Sequence, residues 1–121
     1  MDPIVVNVSV KYIRPQYQNL EQWINDPENL YIARGGVVFI NGERFPKESS
    51  PYHNPFKITG NTTRETVIKQ YSEYLDKNPE LVELAKVDLI GKNRLGCWCK
   101  VANADIPCHG DILLEKIKKL N

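Results

Sequence analysis

Hydrophobic positions along the chain change period several times, and each change marks an element. Ile4 to Val10 alternates at period two, with Val6, Val8 and Val10 on one face and Val5, Asn7 and Ser9 on the other, which predicts a strand. Leu20, Trp23 and Ile24 return at helical spacing and predict a short helix ended by Asp26-Pro27. Leu30-Tyr31-Ile32-Ala33 reads as a second short strand, closed by Arg34-Gly35-Gly36. In Val37-Val38-Phe39-Ile40, Asn41-Gly42, Glu43-Arg44-Phe45, the Asn-Gly pair suits the two positive-φ positions of a type I′ turn, so this stretch predicts a β-hairpin. A loop rich in proline then runs from Pro46 to about Thr59.

The first long helix is expected to start at Thr62, whose hydroxyl and the Glu65 carboxylate would form a capping box. Val67, Ile68, Tyr71 and Leu75 make its apolar stripe. Asn78-Pro79 restarts the chain as another helix, with Asn at the N-cap, Pro at the first helical position, and Leu81, Leu84 and Ala85 as the inner face. After the turn Leu89-Ile90-Gly91-Lys92, a third main strand runs from Arg94 to Trp98. A last helix follows from about Gly110 to Leu120, with Leu113, Ile117 and Leu120 facing inward. No internal repeat or low-complexity tract interrupts this order. Strands near 4–10, 30–33 and 94–98 with helices between and after them predict one α/β domain over residues 1–121: a small sheet with helices packed on it, plus an inserted β-hairpin.

Composition narrows the function classes. A chain of 121 residues with 41% hydrophobic and 26% charged residues has the balance of a soluble globular protein. Sixteen Lys and Arg against fifteen Asp and Glu leave a formal charge of +1, so bulk electrostatics do not draw it to nucleic acid or membrane. The basic stretch Lys116, Lys118 and Lys119 complements the C-terminal dipole of the last helix. No segment approaches the ~20 apolar residues that span a bilayer. Met1-Asp2-Pro3-Ile4-Val5-Val6 reads as the first strand rather than a signal peptide, which makes the cytoplasm, or a host cell interior, the expected address. Three cysteines in a reducing compartment are an odd count for a disulfide framework; they are free, metal-bound or reactive.

Those cysteines concentrate near the C-terminus, in Gly96-Cys97-Trp98-Cys99 and Pro107-Cys108-His109-Gly110-Asp111. The second motif stands where the last helix begins, between it and the third strand. In small α/β sheets, ligands sit where strand C-terminal ends meet helix N-termini. Cys97, Cys99, Cys108 and His109 match the ligand set of a closed zinc site, and zinc is the one cofactor this set suggests, although C-x-C departs from the usual C-x(2–4)-C knuckle. Cys108, His109 and Asp111 also supply the residue types for thiol catalysis: a thiol at a helix N-terminus, an imidazole base and a carboxylate to orient it. The plainest alternative is a core strand with small buried cysteines and a histidine that tethers the helix.

Taken with Asn7, Tyr31-Ile32-Ala33-Arg34-Gly35, Asn54-Pro55-Phe56-Lys57-Ile58, Thr63-Arg64-Glu65 and Tyr71, these motifs resemble the family known as domain of unknown function 4326, which occurs in bacteria, their phages and large DNA viruses. The resemblance brings no activity with it. Relative to the family pattern, this chain inserts residues 14–29 and the hairpin region 37–51, has Ala33 where glycine precedes the arginine, and has Tyr52-His53 in place of Trp-Gly. The resemblance implies further site residues. Arg34, followed by Gly35 and Gly36, would offer a guanidinium and bare backbone to a phosphate or carboxylate, and the amide of Asn54 would bind a ligand or close its loop. His53 is a weaker candidate in the same loop.

The leading expectation is therefore a corner that binds a small anionic, nucleotide-like ligand, made by Arg34, Gly35, Asn54, Cys97, Cys99, Cys108, His109, Gly110 and Asp111. A non-enzymatic interaction module with structural zinc is the second reading, and a cysteine-dependent enzyme the third. Nucleic acid ranks low as a partner, since no recognised motif accompanies the balanced charge.

Overall fold

The computed structural model describes residues 3–57, 59–98 and 108–120. Cys99, Pro107 and Ile58, all in the motifs above, lie outside the described residues. Three strands, β1 (Ile4–Asn7), β2 (Asn29–Tyr31) and β5 (Arg94–Cys97), form a parallel sheet in the order β1-β5-β2. The last strand in sequence is thus the central one. It places Gly96 opposite Val6 on one side and Tyr31 on the other. A separate antiparallel hairpin joins β3 (Val38–Ile40) to β4 (Glu43–Phe45), with Asn41 at φ 54° and Gly42 at φ 82° in its turn, as the Asn-Gly pair predicts. Helices α1 (Val10–Ile13) and α2 (Leu20–Asn25) connect β1 to β2. Helices α3 (Arg64–Lys77) and α4 (Pro79–Asp88) precede β5, and α5 (His109–Lys119) follows it. The chain is a small α/β fold with an added hairpin.

Glycines set how closely the layers approach. A Cβ on Gly96 would stand 2.4 Å from the Trp23 ring and 2.5 Å from a Val8 methyl, so only glycine lets α2 lie on β5 here. Successive strand side chains alternate in direction, which sends Leu95 and Cys97 to the opposite face, where α5 packs. There a Cβ on Gly110 would meet Ile32 at 2.8 Å and Val5 at 3.0 Å. Leu95, Cys97, Cys108 and Leu113 are wholly buried in the core, with Trp23, Tyr71 and Leu75.

Several boundaries and faces differ from the sequence expectation, β2 among them, which ends at Tyr31 rather than Ala33. The first strand ends at Asn7, not Val10. Asn7 Oδ1 accepts from the Ser9 amide and Ser9 Oγ from the Lys11 amide, so two short polar side chains turn the backbone out of the ladder and start α1. Helix α3 is capped by Thr63 rather than Thr62: Thr63 Oγ1 accepts from the Thr66 amide, while Thr62 Oγ1 accepts from Thr59 in the preceding loop. Its stripe Val67, Ile68, Tyr71 and Leu75 is buried as expected. On α4 the buried residues are Val82 and Ala85, and Leu84 is exposed. Leu120, at the end of α5, is exposed as well.

Candidate functional site

Helix α5 begins on a capping arrangement that uses two of the predicted site residues. Cys108 is the N-cap, and its amide donates to Asp111 Oδ2 at 2.8 Å. The carboxylate stands in the first turn, where the helix dipole favours negative charge. The Cys108 sulfur lies 2.9 Å from that of Cys97 in the buried joint between β5 and the start of α5, and Cys108 is disulfide-bonded, which corrects the expectation that the cysteines are free, metal-bound or reactive. Zinc is bound by thiolates, and a disulfide-bonded Cys108 does not supply one. No group of three or more His, Cys, Asp or Glu among the described residues is placed to hold a metal ion.

His109 is buried beside this pair. Its Nε2 lies 2.8 Å from the Ile32 carbonyl, which can only accept, so Nε2 carries the proton of the neutral ring. Nδ1 faces the Cys108 sulfur at 3.7 Å, and the ring packs edge-on against Tyr71 at 5.3 Å. Burial holds the imidazole pKa below its ordinary value, and the Ile32 carbonyl opposes that shift. His109 is thus a neutral tether between α5 and the end of β2.

Beyond the C-terminal ends of β2 and β5 the chain opens into a cleft of about 480 Å³. One wall is Ala33, Arg34, Trp98 and His109, where the strands end and α5 begins; the facing wall is Arg64, Val67 and Ile68 from the first turns of α3. Asn54, Phe56 and Lys57 line it from the long loop, and Val37 from the segment leading into the hairpin. Arg34 Nη2 donates to the Asn54 carbonyl at 2.9 Å. The structure therefore brings Arg34, Asn54 and His109 together across the distance in sequence.

It gives the other candidates different work. The Asn54 side chain accepts from the Phe56 amide and donates to the Val67 carbonyl, closing the loop onto α3. The Gly35 amide donates to Ser49 Oγ, and a Cβ there would stand 2.6 Å from the Glu48 carbonyl carbon, so this glycine serves close backbone packing rather than an open phosphate cradle. Cys97, Cys108 and Gly110 are buried below the cleft and do not line it. His53 is tied to the Ser50 carbonyl at 2.7 Å.

Lys57, Arg64, Phe56 and Trp98 escape the sequence reading as site residues. Arg64 carries a signal visible in the sequence: a cation at the first position of a helix opposes the dipole. Trp98 is held by its indole N–H, which donates to Tyr31 Oη at 2.8 Å, while Tyr31 donates to the Arg34 carbonyl at 2.5 Å. Burial pushes the Tyr31 phenol up to about 12, so it stays a donor. One relay thereby fixes the indole and the backbone of Arg34 relative to each other.

No helix among the described residues is long and apolar enough to cross a membrane. No curated protein and no solved structure matches the chain. The family model described as Domain of unknown function (DUF4326) matches residues 16–119, a span that includes every residue lining the cleft. The chain belongs to that family.

Proposed function

We propose that the protein binds a small anionic molecule, through its phosphate or carboxylate groups, in the cleft between the sheet ends and α3. One observation carries this reading: three cationic side chains, Arg34, Lys57 and Arg64, line one cleft. In a chain of net charge +1 that is a local concentration of one sign, and a cleft of a few hundred Å³ suits a small ligand. Arg34 and Arg64 offer planar, multidentate donors. Thiol catalysis is less well supported, because Cys97 and Cys108 are fully buried and Cys108 is disulfide-bonded. A structural zinc site is less well supported because the disulfide-bonded Cys108 offers no thiolate to an ion.

Calorimetric titration with inorganic pyrophosphate tests the proposal. Binding is expected to weaken as salt rises, since the contacts are charged and partly exposed. Arg64→Gln is expected to weaken it about tenfold or more, because a hydrogen bond to a charged group contributes roughly 1.5–3 kcal/mol. Heat signals that are absent for pyrophosphate, and for phosphorylated and carboxylated small molecules alike, would overturn it.

A further inference from the structure

Cations account for only part of the cleft. Apart from Asn54 and His109, its remaining lining is apolar, with Ala33, Val37, Val67 and Ile68 beside the rings of Phe56 and Trp98. An inorganic anion would meet the cations and leave this surface wet. We infer that the ligand is a nucleoside 5′-phosphate, its base lying on the indole of Trp98 and its phosphate held by Arg34, Lys57 and Arg64. This rests on the anion-binding reading above and adds the chemistry of the ligand's other end.

Three features support it. The only polar atom of the indole is already bonded to Tyr31, so what Trp98 can offer a ligand is the flat hydrocarbon of a half-buried ring. That ring is fixed before any ligand arrives, because Tyr31 is itself anchored on the Arg34 carbonyl, and a platform already held loses little entropy on binding. Phe56 is braced edge-on against Tyr74 at 6.1 Å, which sets a second ring in the same lining. A flat heteroaromatic ring joined through a short polar link to a phosphate matches this distribution of apolar rings and cations. Stacking of a base on an aromatic side chain contributes roughly 1–3 kcal/mol and tolerates any base, so the platform does not by itself select one.

The experiment compares nucleoside 5′-monophosphates with ribose 5-phosphate and inorganic pyrophosphate by calorimetry on the intact chain. At least one nucleotide is expected to bind about tenfold or more tighter than ribose 5-phosphate, the factor that ~1.4 kcal/mol of stacking provides. Trp98→Leu should abolish that preference and leave ribose 5-phosphate binding in place. Trp98→Phe, which keeps a stacking ring, should retain most of it, and circular dichroism checks that both variants fold. If ribose 5-phosphate binds the wild-type chain as tightly as every nucleotide, the inference fails while the anion reading stands. If no phosphate ester binds, the inference fails; if pyrophosphate and carboxylated small molecules give no heat either, both fail together.

Discussion

At the scale of single residues, chemistry and packing divide the C-terminal motifs between them. Asp111 and Cys108 close the start of α5, Gly110 lets it approach the sheet, and His109 ties it to Ile32. The histidine makes a pH-dependent contribution whose sign follows from its environment. Burial depresses its folded pKa, so the native state resists a proton that the unfolded chain accepts below about 6.5. The stabilisation is complete above that pH and is lost as pH falls towards the depressed folded value. Urea midpoints measured from about pH 8 to pH 5 should therefore fall less steeply in His109→Gln than in the wild type, since glutamine can still donate to Ile32 without titrating. Identical slopes in the two proteins would show that His109 is not held neutral. This role was open in the sequence, where a base, a zinc ligand and a tether all fit the same letters; the partner that distinguishes them, Ile32, is 77 positions away.

At the scale of elements, local signals were sufficient wherever neighbouring residues satisfy each other. The Asn41-Gly42 hairpin, the stripe of α3 and the Asn78-Pro79 restart all follow from residues within a few positions. Adjacent equivalents were harder to separate. Thr62 and Thr63 can each cap a helix, and the competing bond from the Thr59 amide decides that Thr63 does so. Thr63→Ala is expected to cost about 1 kcal/mol of stability in urea unfolding, and Thr63→Ser much less. Equal midpoints for Thr63→Ala and the wild type would return the cap to Thr62. The cap matters to the site because the first turn it stabilises carries Arg64 to the cleft.

At the scale of the molecule, the sheet order makes β5 the axis of the fold, and its C-terminal end delivers Trp98 to the cleft while Cys97 turns inward. The core around that axis is built from Leu95, Leu113, Trp23 and Tyr71, with the sulfur pair filling one joint, and none of these contacts requires an ion. Adding a strong chelator should therefore leave the melting temperature unchanged, whereas a structural zinc site would lose its folding free energy. Unfolding on chelation would restore the zinc reading.

The sequence by itself determined the α/β class, the hairpin, most helix faces and the family, because periodicity, turn chemistry and motifs are properties of short segments. Three of the residues it singles out, Arg34, Asn54 and His109, line one cleft. Only the tertiary structure decided that Cys97 and Cys108 belong to the core. Alternation along β5 sends Cys97 and Trp98 to different surroundings, and the position of α5 seals the first while leaving the second at the opening. It also decided that Lys57 and Arg64 join Arg34. Their convergence depends on how a loop and a helix N-terminus fold back over the sheet, which no local pattern encodes.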